Sequence, residues 1–179
     1  MNLLEALLGI RDEEDGTLSF RYSCRGAVCG SCAMRVNGKD VLACRTPVEV
    51  LLEKPVFIEP LPLFPIIRDL IVDMSVFFED YWKIEPYLHG RPAPPQFENL
   101  MAEEEQKEID PYINCILCGI CFATCPAFEK DPLFLGPAML AKAYRFLIDP
   151  RDRRSEEILK TVDDQTGVWG CKTVMSSRP

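Results

Sequence analysis

The sequence predicts an α+β chain, with a small mixed sheet and one helix in its first third and a helical remainder. Three observations carry that expectation. Short alternating segments flank Asn37-Gly38, prolines 60, 62 and 65 crowd one stretch, and apolar residues beyond it recur at helical spacing. The boundary falls inside the proline-rich connector, giving domains of residues 1–62 and 63–179.

In chain order, residues 2–10 read as a helix with Asn2 as N-cap and Leu3, Leu4, Leu7 and Leu8 on one stripe. Arg11 to Gly16 reads as a charged turn, and Thr17 to Tyr22 alternates like a strand leading to Cys24. Ala33 to Val36 and Asp40 to Ala43 form two strands, with Asn37-Gly38 as a type I′ hairpin signal. Val56 to Ile58 suggests a further strand. A helix is expected from about Ile66 to Lys83, its apolar face running through Ile67, Leu70, Ile71, Met74, Phe77, Phe78, Tyr81 and Trp82. The Met74 to Trp82 aromatics read as helix core and the acidic run Glu103 to Glu108 as a solvated face. Residues 86–99 form a Pro-rich loop that holds His89, the sole histidine, read as a surface residue. Gly136-Pro137 opens a helix to about Ile148. Arg151 to Arg154 is a charged break, and Ser155 caps a short helix to Leu159.

Composition excludes several classes. A formal charge of −8 and a pI near 4.8 lack the basic face of a general nucleic-acid binder. No apolar run approaches the ~20 residues a membrane span needs. The amino end shows no basic segment followed by an apolar core, so no secretory signal is expected and membrane contact would come through a partner. No Gly-rich phosphate loop occurs, so a flavin or nicotinamide would sit on another chain. The nine cysteines are bunched in the manner of ligands; a disulfide framework would spread them.

Cys24-x4-Cys29-x2-Cys32, with Cys44 after eleven further residues, is plant-type [2Fe–2S] spacing. Two irons need two thiolates each, three from one loop and one from a neighbouring strand. Gly26 and Gly30 allow backbone angles that aim N–H groups at the sulfurs, and Arg25 and Arg45 can offset the negative charge. The competing reading is a four-cysteine zinc site. Cys115-x2-Cys118-x2-Cys121-x3-Cys125-Pro126 is the bacterial-ferredoxin run, whose fourth cysteine serves a second cluster. A zinc knuckle or redox dithiols are its alternatives. Ile116, Leu117, Ile120 and Phe122 between the ligands would keep water away.

A plant-type set, a bacterial-type set and then Trp169-Gly170-Cys171 resemble the iron–sulfur subunit of succinate dehydrogenase/fumarate reductase. Leu18-Ser19-Phe20-Arg21, Leu42-Ala43-Cys44, Ile67-Arg68-Asp69-Leu70, Gly136-Pro137-Ala138 and Tyr144-Arg145-Phe146-Leu147 look like that family too. The resemblance covers essentially the whole chain. It implies a β-grasp, plant-type ferredoxin-like domain, here without its first hairpin, followed by an all-α helical ferredoxin domain. It also implies three centres in line, passing single electrons between an FAD flavoprotein subunit and quinone. Cys24, Cys29, Cys32 and Cys44 would hold [2Fe–2S]. Cys115, Cys118 and Cys121 would supply [4Fe–4S], while Cys125 and Cys171 would belong to [3Fe–4S]. Pro126 and Lys172 would lie near quinone, with no catalytic dicarboxylate residue on this chain. Membrane-anchor subunits would hold the complex on the cytoplasmic side of the inner membrane.

Three complete centres need eleven cysteines, and the sequence has nine. The family continues Cys171 with x5-Cys-x3-Cys-Pro, whereas Ser177 stands at the first of those places and the sequence ends at Pro179. The two later centres are each one thiolate short, so a chain truncated at both ends is expected. Lys130 and Lys172 stand where the family often has Trp and His. Two alternatives are the iron–sulfur part of a fumarate reductase fed by thiols or another donor, and a non-functional fragment of either.

Overall fold

The computed structural model describes residues 1–51, 55–90 and 98–172. Two compact units emerge. One comprises Met1–Ser75 and Ile116–Thr124; the other comprises Val76–Cys115 and the described part of Cys125–Arg178.

The first unit begins with α1 (Leu3–Glu13), whose Asn2 N-cap forms a reciprocal capping box with Glu5. The Glu5 amide donates to Asn2 Oδ1 at 3.0 Å, and the Asn2 amide donates to Glu5 Oε2 at 2.7 Å. The charged turn expected from Arg11 starts later, because the helix runs on to Glu13. There the Glu14 and Asp15 amides close on the Ile10 carbonyl.

Strands β1 (Ala33–Val36) and β2 (Lys39–Leu42) pair antiparallel, Val36 facing Lys39. Asn37 and Gly38 both take positive φ, 49° and 79°, as a type I′ turn requires. Arg35 and Asp40 face each other across the hairpin in a two-bond pair at 2.9 and 2.8 Å. Strand β3 (Ile58–Glu59) pairs with the other edge of β1, two residues later than the sequence suggests. Asn37 links the hairpin to that approach: its amide donates to the Phe57 carbonyl and its side chain accepts from the Phe57 amide. Under the sheet, Leu3, Leu4, Leu7, Phe20, Met34, Val36 and Ala43 form a core that also includes Cys32 and Cys44.

Two expectations fail in this unit. Thr17 to Tyr22 starts in a turn and joins no ladder among the described residues. The Ser19 amide donates to the Asp69 carboxylate at 2.8 Å, and Ser19 O accepts the Leu70 amide, so alternation buries Phe20 without a strand partner. The helix expected from Ile66 starts only at Ser75. Residues before it form a second hairpin, β4 (Ile66–Arg68) and β5 (Ile71–Val72). Four of those residues are β-branched and favour a pleated backbone, while Asp69, at φ 46°, turns the chain.

Helix α2 (Ser75–Lys83), which lies in the second unit from Val76 on, buries Phe77 and Asp80 but leaves Phe78 and Trp82 exposed, so only part of the aromatic stripe is core. The acidic run forms the first turns of α3 (Glu103–Ile113), where carboxylates suit the positive end of the helix dipole. Helix α6 (Pro137–Leu147) agrees with the expected Gly136-Pro137 start. Helix α7 (Ser155–Val162) forms, but its N-cap is Arg154 without a side-chain cap, not Ser155. α6 packs against both α3 and α7.

The charged break at Arg151 to Arg154 is a buried ionic network. Asp149, Asp152 and Arg154 are all buried. Arg154 donates to Asp152, to the Glu85 side chain and carbonyl, and to the Tyr87 carbonyl. His89 belongs here too: it is half-buried, stacked on Tyr87 at 4.6 Å, and its backbone amide donates to Asp152. Its side chain stays 36% exposed, so it is a partly exposed histidine whose backbone, more than its ring, is tied into this network. The Pro-rich loop at 91–97 and Ser177 lie outside the described residues.

Candidate metal centre

The loop from Cys24 to Cys32 is wound unusually tightly. Arg25, Ala27 and Gly30 take positive φ of 55°, 57° and 71°. For Arg25 and Ala27 that conformation costs about 1–2 kcal/mol each. The winding turns successive amides inward, making a concave nest suited to negative charge. The amides of Gly26, Val28 and Cys29 all donate to the Cys24 sulfur, at 3.4, 3.3 and 3.3 Å. The loop amides thus do aim at sulfur, although the Gly30 amide is not one of them.

Cys29 and Ser31 approach at 3.1 Å between sulfur and hydroxyl oxygen. Ser31, then backbone amides, pull the exposed Cys29 thiol down to about 6, so it carries thiolate character near neutrality. The Ser31 hydroxyl has no signature of its own in the sequence. Cys32 behaves oppositely: burial pushes its thiol up to about 11, with Cys44 beside it.

The β1–β2 hairpin explains why Cys44 returns to Cys32. Cys32 immediately precedes β1, and Cys44 sits in the 3-10 turn Ala43–Arg45 that follows β2. Register fixes Ala33 opposite Leu42, and the Ala43 amide donates to the Cys32 carbonyl at 3.0 Å. The eleven intervening residues are one hairpin long. α1 anchors the far side of that turn through the Leu3 amide on Thr46 O at 2.8 Å. Cys29 thus neighbours Cys24 and Cys32 neighbours Cys44, with Cys29 also close enough to Cys32 for their charges to interact. Such a donor set is chemically suited to two metal ions taking two thiolates each. Among the described residues, no three His, Cys, Asp or Glu side chains gather for a single ion.

Arg25 lies over the Tyr22 ring, 5.5 Å from its centroid, and Arg45 is exposed. Gly30 has a second role that spacing could not reveal. A Cβ there would lie 2.8 Å from both Cα and Cβ of Cys118 and 3.1 Å from the Ile116 carbonyl oxygen. Within the first unit, then, the first cysteine loop rests directly on the second cysteine run.

Along that run Leu117 (φ 53°) and Gly119 (φ 79°) bend the chain into α4 (Ile120–Ala123). Cys118 and Cys121 are half-buried and belong to the first unit, where Phe122 is fully buried. Cys115, half-buried, and Cys125, buried, belong to the second unit. Cys125 is the N-cap of α5 (Pro126–Lys130), with Pro126 at its first turn. Cys171 and Lys172 are exposed after the turn Val168–Gly170, and Lys130 is also exposed.

Comparison with known proteins follows the same outline. Residues 1–79 match the family profile described as the 2Fe-2S iron-sulfur cluster binding domain. The succinate dehydrogenase iron-sulfur subunit of Coxiella burnetii is 44% identical over 174 residues, covering 97% of this chain and 73% of that protein. A chain of the Mycobacterium smegmatis Sdh1 complex in the apo form shares the fold, with a TM-score of 0.86 and 24% identity. That match covers 98% of this chain and 74% of the other.

Proposed function

The chain belongs to the family of succinate dehydrogenase iron–sulfur subunits, and from that premise we propose how its cysteines divide the work of electron transfer. It is an electron-transfer subunit of an oxidoreductase complex. In the proposal, Cys24 and Cys29 hold one iron of a [2Fe–2S] centre and Cys32 and Cys44 hold the other. Cys115, Cys118 and Cys121 hold a [4Fe–4S] centre. Cys125 and Cys171 contribute to a [3Fe–4S] centre, with Pro126 and Lys172 towards quinone. When bound, such centres accept and release single electrons without bond chemistry on a substrate.

The loop amides aimed at the Cys24 sulfur, with the hairpin that brings Cys44 back to Cys32, are the observation that supports this reading most directly. The chain's own groups then have defined tasks. The amides of Gly26, Val28 and Cys29 donate to the Cys24 sulfur and the Ser31 hydroxyl is placed to donate to a Cys29 thiolate, which favours the reduced, more negative state. Cys32 and Cys44, inside the apolar core, keep water from one side of the site. Dicarboxylate chemistry and FAD belong to a flavoprotein partner, and membrane-anchor subunits hold the complex at the cytoplasmic side of the inner membrane. Among the described residues, no helix is long and apolar enough to cross a membrane.

Anaerobic reconstitution of the full chain with ferrous iron and sulfide tests the proposal. A reducible [2Fe–2S] EPR signal is expected, and Cys29→Ser and Cys44→Ser should each abolish it while leaving the signal of a cubic centre. Stoichiometric zinc in place of iron, or a signal surviving both substitutions, would overturn the assignment.

A further inference from the structure

Cys115 opens the second cysteine run just after α3 ends, and α6, which packs against α3, carries two cations on the face nearest that end. Lys142 and Arg145 are three residues apart, hence on one face of α6, and α3 packs against that helix. Lys142 Nζ donates to the Tyr112 carbonyl oxygen at 3.0 Å, three residues before Cys115. Half-buried, it has no carboxylate partner among the described residues. Arg145 pairs with Asp149 at 3.3 Å and lies 4.2 Å from the Phe146 ring centroid. Its other terminal nitrogen is buried and has no hydrogen-bond partner among the described residues. Burial lowers the Lys142 ammonium from its ordinary range, the Cys115 charge opposes that fall and Arg145 adds to it. Tyr81 of α2 feels the same neighbours: burial and Cys115 push its phenol up, and Arg145 acts against them.

Among the described residues, this corner carries more positive charge than its side-chain carboxylates neutralise. The C-terminal end of α3 supplies roughly half a negative charge. A half-buried ammonium without a carboxylate, and a buried guanidinium N–H without an acceptor, each cost stability until an anion arrives. Cys115 is where a negative group would be attached.

We infer that Lys142, with Arg145 beside it, is the counter-charge of the centre held through Cys115 and positions that centre's redox balance towards the reduced state. The inference rests on Cys115 being a ligand, as proposed above. One electron from a one-electron donor adds one negative charge beside Cys115. The Lys142 ammonium stabilises that charge without giving up its proton.

The test is an EPR-monitored redox titration of the full chain, reconstituted anaerobically with ferrous iron and sulfide and reduced with dithionite. Lys142→Met should shift the oxidised-to-reduced ratio of the second centre about tenfold towards oxidised, about 59 mV for a one-electron couple. The [2Fe–2S] midpoint should not move, and Lys142→Arg should restore most of the loss. Lys142→Gln, which can still donate to Tyr112, should shift in the same direction as Met. A wild-type midpoint in both Met and Gln variants would reduce Lys142 to a cap on α3 and overturn the inference. If Cys115→Ser keeps the second signal and full iron content, the ligand assignment falls and the inference with it.

Discussion

At the scale of single residues, the candidate site depends on backbone angles as much as on sulfur. Gly30 shows this most clearly, since it combines a positive φ with backbone contact to Cys118. A methyl group there meets a Cα, which cannot swing aside as a flexible side-chain end can. Gly30→Ala should therefore destabilise the chain by about 2 kcal/mol or more, from left-handed strain plus overpacking. Urea unfolding would check this, and a midpoint equivalent to less than about 0.5 kcal/mol of change would sink the idea. Gly26 is a useful contrast. Its amide reaches the Cys24 sulfur, yet its φ is not in the left-handed region, so its side-chain-free state is less demanded. The glycines were legible as loop formers, but which of them lies against another segment was not.

At the scale of elements, the local rules worked where the signals were local. Asn2 and Glu5 satisfy each other across one helical turn, and Asn37-Gly38 adopts the paired positive φ that its dipeptide announces. Asn2→Ala should cost about 1 kcal/mol, seen as a lower Tm of the full chain. Because α1 anchors the turn carrying Cys44, the loss should also accelerate release of iron to a chelator. Unchanged chelation kinetics would separate the cap from the site. The local reading failed at Ile66 to Val72. Apolar residues there fit both helical and strand periods, and the choice was made by β-branching and by Asp69, whose carboxylate serves the Ser19 amide fifty residues away. Ser155 failed for a similar reason: Arg154 is held by partners distant in sequence, so the helix begins without a side-chain cap.

At the scale of the whole molecule, the second unit depends on buried charge that composition alone cannot locate. Burial pushes the Asp152 carboxyl up, but Arg154 and the Arg154 and His89 amides push it further down, leaving it below the usual carboxylate range. Asp149 is lowered in the same way, burial being outweighed by Arg151 and Arg145. Because both folded values are depressed, their stabilisation is present above the unfolded carboxylate value of about 3.9 and fades as pH falls through the lower folded values. Arg154→Met should cost about 3–5 kcal/mol at neutral pH, since it leaves Asp152 buried without its cation. It should also flatten the acid limb of a stability–pH curve, and an acid limb parallel to wild type would refute the linkage. What the sequence alone determined is what covalent spacing determines: the cysteine intervals, the hairpin that closes the first set, and the family those intervals mark. Tertiary structure decided the rest, because it depends on contacts between residues far apart in the chain. Ile116–Thr124 leaves its sequence neighbours to join the first unit, Gly30 meets Cys118, and Lys142 reaches the end of α3. No interval between cysteines encodes where a lysine thirty residues away will seek its counter-charge.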